Sequence, residues 1–382
     1  MTEFEVFVAT LNSFGGGEIL ALTAIEAIHE FFPNNKIVVK TIDIPRVPEL
    51  YKIFNDKVQI LKYVEWRPLG IIPVTNLNEY SIYRTLPYLS ILEYSIRTFF
   101  NTRNKVIINL FADTYSIPAH ICYIHFPYFI IRRSGYSALR DYIRKILSIR
   151  LLNACKIILT NSAFTKTILC YASKDVCDKS FVLHPPLTIK PMDEETFYST
   201  LCHRKPLILT ISRISREKKL EYVIEIGKLM PEADFIIIGS LRDENYYMEL
   251  VEKAEKCDNV KIYINLPRDQ LFSLMRKAMI YLHTMPLEHF GISVLEAMSQ
   301  GLVPVVHRSG GPWTDILNYT EGKWGFSYTS IMEAAMKIKA LINNIDFYKR
   351  IALNAIERSK NFTEEKFKME FAKIVNKFLK VL

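Results

Sequence analysis

A chain of 382 residues exceeds the size at which one hydrophobic core stops growing, so two domains are the starting expectation. With 49% hydrophobic and 23% charged residues it has the composition of a packed protein and not of a disordered one. The net charge of +9, from 49 Lys and Arg against 40 Asp and Glu, favours anionic partners without choosing among them.

Glu3 and Glu5 stand ahead of an apolar stretch where a secretory signal would carry basic residues, so no signal is expected. Nor does any uninterrupted apolar run reach the roughly 18 residues of a spanning helix. Short β-rich runs then alternate with amphipathic segments, the pattern of βα units with parallel sheets. A first series runs from "FEVFVAT" at Phe4 through "KIVVK", "VIINL" and "CYIHF" to "CKIILTNS" and "FVLHPP". A second starts with "PLILTISR" at Pro206 and continues through "ADFIIIGS", "NVKIYIN", "AMIYLHT" and "LVPVVH". The proline-rich stretch between them reads as a linker over 187–204, separating domains at 1–186 and 205–362. Phe367, Phe371, Ile374 and Phe378 recur at helical intervals in the tail, which predicts a closing helix over 363–382. Six scattered cysteines (Cys122, Cys155, Cys170, Cys177, Cys202 and Cys257) form no CxxC pair and no ligand rhythm; reduced thiols in an intracellular compartment are the simpler expectation.

Four places could carry chemistry. After the first strand, "NSFGGGEILAL" supplies glycines, Gly16 and Gly17 among them, that permit a tight turn and close approach to a ligand. It lacks the G-x-G-x-x-G order, and GxxxxGK[ST] is absent, so neither a dinucleotide site nor a P-loop is supported. His125 ends the strand "CYIHF" before a proline, at a strand terminus where ligands bind. In "ISRISREKKLEY" the strand gives way to a basic loop with Arg213 and Lys218, placed to neutralise a diphosphate. Finally "LHTMPLEHFGISVLEAM" sets Glu288 in a loop and Glu296 in the first turns of a helix, with Phe290, Gly291, Ile292 and Ser293 between them. Amides at that helix start suit an anion, and paired carboxylates suit the hydroxyls of a sugar or ribose. Solvated surface acids and a solvated cationic loop would look the same in isolation.

Taken together and in this order, these elements resemble family 4 of the retaining GT-B glycosyltransferases. The Glu-x7-Glu signature of that family matches Glu288 and Glu296, and its Arg-x4-Lys pair matches Arg213 and Lys218. The likeness extends from Gly15 to about Leu317, with residues 43–105 unmatched. The wording "CYIHFPYF", "LTNSAFT", "VLHPPL" and "SGGPWTDIL" looks most like the eukaryotic dolichol-linked-oligosaccharide α-1,2-mannosyltransferases. What the resemblance implies is an α/β GT-B fold of two Rossmann-like domains and transfer of mannose from GDP-mannose to a polyprenyl-pyrophosphate-linked glycan in N-glycan or surface-glycan assembly, at the cytosolic face of a membrane. It also implies roles. Glu296 would bind the nucleotide ribose, Glu288 the donor sugar's hydroxyls, and the amides of Phe290 to Ser293 the sugar and phosphate. Arg213 and Lys218 would stabilise the leaving diphosphate, so that no metal or other cofactor is called for. Gly16 and Gly17 would line the donor phosphates or the acceptor, and His125 would approach the donor sugar near its reacting face. The relatives carry an N-terminal membrane anchor that this sequence does not show.

The segment 128–152 interleaves Arg132, Arg133, Arg140, Arg144, Lys145 and Arg150 with aliphatic and aromatic residues, which suits peripheral contact with an anionic membrane surface as well as it suits an ordinary amphipathic helix. A UDP-glucose or UDP-N-acetylglucosamine transferase acting on a lipid or soluble acceptor stays open, because base and sugar preference lie in pocket shape. No nucleic-acid partner is expected: no RRM, KH, zinc-finger or helix-turn-helix signature accompanies the basic charge.

Overall fold

The computed structural model describes residues 2–12, 15–70, 91–96, 104–113, 117–131 and 138–380. They form two compact units, one taking the chain up to Pro186 and again from Glu364, the other Leu187–Thr363.

In the first unit the chain runs β1 (Glu3–Val8), α1 (Gly16–Phe31), β2 (Ile37–Thr41), α2 (Val47–Phe54), β3 (Glu65–Pro68), β4 (Lys105–Asn109), β5 (Ile121–Ile124), α3 (Ala138–Ala154), β6 (Ile157–Thr160), α4 (Ala163–Ala172), α5 (Lys174–Asp178) and β7 (Ser180–Val182). All pairings are parallel, in the order β3-β2-β1-β4-β5-β6-β7. The second unit holds α6 (Glu194–Leu201), β8 (Lys205–Ile211), α7 (Glu221–Leu229), β9 (Asp234–Gly239), α8 (Glu244–Ala254), β10 (Val260–Ile264), α9 (Arg268–Lys277), β11 (Ala278–His283), α10 (Ile292–Ser299), β12 (Val303–His307), β13 (Phe326–Tyr328), α11 (Ile331–Asn343) and α12 (Ile345–Ser359). Its sheet is again parallel, in the order β10-β9-β8-β11-β12-β13. Helix α13 (Glu364–Leu379) then rejoins the first unit.

Strand order sets where ligands go. In each sheet the winding reverses once, between β1 and β4 and between β8 and β11, and the crevice beyond the carboxyl ends of such a strand pair is the usual binding position. Helices on both faces make these strands continuous apolar runs; every residue of β11 is buried.

Residues 187–204 are not a free linker. Asp193 caps α6 by accepting the Thr196 N–H at 2.7 Å, and Phe197 is fully buried against Tyr348 in the second core. Arg204 is buried as well and donates to the Gln300 carbonyl at 2.6 Å. Prolines at either end hid a short helix anchored by Met192 and Phe197. The chain passes between units at 186–187 and 363–364, and Leu187 lies beside Thr363 in an isolated bridge.

The cysteines also depart from expectation. Cys122 on β5 is paired with Cys155 just after α3, and Cys170 with Cys177 across the α4–α5 corner; Cys202 and Cys257 are free thiols. Cys122 and Cys155 come together only when β5 and β6 align in the sheet, and Cys170 and Cys177 only when the chain turns from α4 into α5. Among the described residues no helix is long and apolar enough to cross a membrane.

Candidate active site

The second unit's reversal point brings together Lys218 and Glu288 from its two loops. Strand β8 ends at Ile211, and the loop after it holds Arg213 and a single 3-10 turn, Arg216–Lys218. Strand β11 ends at His283 and leads into the loop carrying Glu288. Because β8 and β11 are direct neighbours, with Tyr281 opposite Leu209, these two loops leave the sheet side by side. Lys218 Nζ reaches Glu288 Oε2 at 2.6 Å, with the two side chains only 12% and 14% exposed. Lys218 Nζ also lies 3.1 Å from the Met285 sulfur, and the Thr284 hydroxyl donates to the Lys218 carbonyl at 2.6 Å, so the basic turn is tied to the β11 loop by its backbone.

Glu288 is held from several sides. Its Oε1 accepts the His289 N–H at 3.1 Å, and His283 Nε2 stands 3.4 Å from Oε2. Burial works to raise the carboxyl pKa, but the His283 hydrogen bond and the Lys218 charge outweigh it and keep Glu288 well below the usual carboxylate range. The loop is shaped by glycines on the next segment. Gly311 N–H donates to the Glu288 carbonyl at 2.7 Å, and Gly310, at φ +69°, sits so close that an added Cβ would fall 2.3 Å from that carbonyl oxygen. The Ser309 hydroxyl accepts the Leu287 N–H at 2.8 Å and faces His307 Nδ1 at 2.7 Å.

Gly291, at φ +94°, turns the chain into α10. The first-turn amides of Ile292 and Ser293 have no acceptor within the helix, the arrangement that favours an anion. Val294, Leu295, Ala297 and Met298 are buried, whereas Ile292, Ser293 and Glu296 lie half-buried on the opposite side, one turn apart. Phe290 belongs to the core beneath, packed on Phe362. The Tyr281 hydroxyl bridges the Ile211 carbonyl (2.9 Å) and Ser293 Oγ (2.8 Å), fixing the end of β8 to the start of α10. Arg213 stands apart from this network: it is exposed, and its guanidinium meets Glu217 at 4.0 Å.

The first unit brings its own pair together. Helix α1 begins at Gly16, and Glu18 turns back to accept the Gly15 N–H at 2.8 Å. Gly17 packs against the Phe111 and His125 rings; a Cβ there would lie 3.2 Å from Phe111 and 3.7 Å from His125. His125 follows β5 and contacts the Leu110 carbonyl through Nε2 at 3.1 Å, which leaves Nδ1 of the neutral ring as its acceptor.

Reading the sequence missed His283, Thr284, Met285 and the Ser309-Gly310-Gly311 segment. A lone His at the end of an apolar run and a glycine pair outside the main loop carry no spacing rule; position after a strand was the signal available. Among the described residues no group of three or more His, Cys, Asp or Glu could hold a metal ion. Of the basic segment 128–152, Arg132 and Arg133 and the side chain of Arg140 lie outside the described residues.

Residues 192–358 match the family of glycosyl transferases group 1. The GDP-Man:Man(3)GlcNAc(2)-PP-Dol alpha-1,2-mannosyltransferase of Dictyostelium discoideum is 25% identical over 94% of this chain and 82% of its own length. The Homo sapiens protein of the same name is 30% identical over 50% of this chain; there the chain spans 43%, under half, of its relative. Among solved structures, that of Anabaena Alr3699/HepE in complex with UDP and glucose superposes with a TM-score of 0.72 at 16% identity, covering 98% of this chain and 100% of that one. The second unit therefore belongs to the group 1 glycosyltransferases, and the two parallel-sheet α/β units together have the GT-B fold.

Proposed function

We propose that the chain moves mannose from GDP-mannose to a polyprenyl-pyrophosphate-linked glycan with retention of configuration. The observation that carries this reading is the likeness to the Dictyostelium mannosyltransferase along 94% of the chain. Lys218 and Arg213 neutralise the leaving diphosphate, as oriented cations do for developing negative charge. Glu288, ionised and fixed by His283, accepts hydroxyls of the donor sugar, and the α10 amides with Glu296 take the phosphate and ribose. Lys218 is paired with Glu288; donor phosphate competes for that ammonium and frees carboxylate lone pairs for the sugar. Gly17 lets α1 pack closely on the Phe111 and His125 rings, and His125 would approach the donor sugar near its reacting face.

Peripheral membrane contact belongs to the same proposal. Leu139, Tyr142, Ile143 and Leu147 form an exposed apolar row on α3, continued by Tyr128 and Ile131. Charge from Lys145 and Arg150 accompanies that row, as in interfacial helices.

A UDP-sugar donor is the second reading, favoured by the UDP and glucose named for the Anabaena structure. Thermal unfolding with GDP, GDP-mannose, UDP and UDP-glucose decides between them. Ligand at about 100 times its Kd stabilises by about 2.7 kcal/mol. Stabilisation by the guanosine compounds alone, lost in Lys218→Ala and Glu296→Ala, is expected. Stabilisation by uridine compounds alone would replace the donor, and no response to any of them would remove the transfer reading.

A further inference from the structure

At the amino ends of β5, β6 and β7 the first unit contains an open cavity of about 790 Å³, within the roughly 300–1,000 Å³ range of small-molecule sites. It lies at the opposite end of the strands from Gly17 and His125, so the transfer reaction does not account for it. Its lining has two parts. Lys156 precedes β6, Lys179 precedes β7, and Lys377 comes from the last turn of α13; against these three cations the cavity offers one carboxylate, Asp178. No carboxylate among the described residues forms an ion pair with any of the three lysines, and Lys179 is held instead by the Asn153 carbonyl at the end of α3. The apolar part of the lining is Ile157, Ile374, the Phe378 ring, and Phe181, which is 49% exposed on the edge strand β7.

His120 joins the two parts. Its ring lies 5.3 Å from that of Phe378, and its Nδ1 accepts the Ile107 N–H at 3.0 Å, so the neutral imidazole carries its proton on Nε2, toward no protein acceptor among the described residues. Burial and the nearby Lys156 hold the His120 pKa below its ordinary value. Burial lowers that of Lys179, with Asp175 opposing and Lys156 adding to the effect. Three lysines thus share one cavity with a single carboxylate, Asp178, a charge balance that an incoming anion relieves.

We propose that this cavity binds a single membrane phospholipid, with its phosphate among Lys156, Lys179 and Lys377 and one hydrocarbon chain on Ile157, Phe181 and Phe378. Lysine serves phosphate as a point charge, and an apolar floor beside such charges selects an amphiphile over a free anion. The place suits a lipid. Asn153, beside Lys179, is six residues from Leu147 in the exposed apolar row of α3, about 9 Å along the helix, so a membrane meeting that row has headgroups near the cavity mouth. The inference does not depend on which sugar or nucleotide the second unit takes.

Titration calorimetry on the full chain tests it, using monomeric dodecyl phosphate with inorganic phosphate and dodecyl maltoside as controls. One site is expected for dodecyl phosphate, weakened by added salt, with both controls at least about tenfold weaker. Lys156→Glu/Lys179→Glu is expected to weaken dodecyl phosphate about tenfold or more, Phe181→Ser to weaken it several-fold without changing the response to inorganic phosphate, and Leu147→Ser to leave it unchanged. Equal binding of inorganic phosphate would make this a free-anion site, and equal binding of the maltoside a plain apolar groove; either overturns the proposal. So does wild-type affinity in the double variant, or loss confined to Leu147→Ser, which would put the lipid on α3. Should the double variant fail to fold, Phe181→Ser carries the same decision.

Discussion

A buried ion pair is costly to form and costlier to break, and Lys218 with Glu288 illustrates what such a pair contributes at a ligand site. The Glu288 carboxylate has acceptors spoken for by Lys218, His283 and its neighbour's amide, so it remains charged where burial alone would neutralise it. Its folded pKa lies below the unfolded value of about 4.3. The stabilisation it provides is therefore fully present above that pH and is lost as pH falls from there toward the folded value. Glu288→Gln is expected to flatten the decline of melting temperature below about pH 4.5 and to lower stability at pH 7 by about 3–5 kcal/mol, because Lys218 is left buried without its partner. Melting curves from pH 3 to 7 check both; parallel curves for variant and wild type would mean that the carboxylate is not held charged by these contacts.

At the scale of elements, the loop from β11 to α10 is built by a second segment pressing on it. Gly310 and Gly322 both have positive φ, +69° and +72°, so alanine strains either one. They differ in their surroundings: a Cβ at Gly310 meets the Glu288 backbone at 2.3 Å, whereas at Gly322 the nearest atom is a Phe326 ring carbon at 3.4 Å. Gly322→Ala should cost about 1–2 kcal/mol of backbone strain, and Gly310→Ala clearly more, together with the stabilisation conferred by donor nucleotide. Denaturant midpoints of the two variants give the comparison, and equal midpoints would show that the loop yields freely. The Cys122–Cys155 pair joins β5 to the end of α3 across 33 residues. A loop of that length gives about 3–4 kcal/mol in the chain-entropy model, so reductant should lower the urea midpoint of the wild type clearly more than that of Cys122→Ser/Cys155→Ser, which keeps only the shorter Cys170–Cys177 loop. Identical midpoints with and without reductant would mean that the two thiols are not joined in solution.

For the molecule as a whole, what could be read from residues alone followed what is local. Buried parallel strands announce themselves as apolar runs, and the positions of Arg213 and Lys218 after β8, of Glu288 after β11 and of Glu296 in α10 follow from where those strands end. Strand β3, "EWRP" at an exposed sheet edge, has no such run, and α6 was obscured by flanking prolines. The Cys122–Cys155 pair and the Gly310 approach to Glu288 arise only from tertiary proximity. Helix α13 combines both kinds of information: its phenylalanine spacing is evident in the sequence, but its partner is α1 of the first unit, more than 300 residues away. Phe367, Phe371, Val375 and Phe378 are all buried there, and Lys368 pairs with Glu30 at 3.1 Å. At about 1.5–3 kcal/mol per buried side chain, these four account for about 6–12 kcal/mol, comparable to the whole stability of a domain. Deleting residues 364–382 should therefore abolish the unfolding transition of the first unit in calorimetry. The second unit's core, closed by α11 and α12, contains no residue of α13, so its transition and its response to donor nucleotide should persist. Loss of both transitions together would show that the second unit folds only with the first, whereas survival of both would show that α13 adds little to the core it lies in.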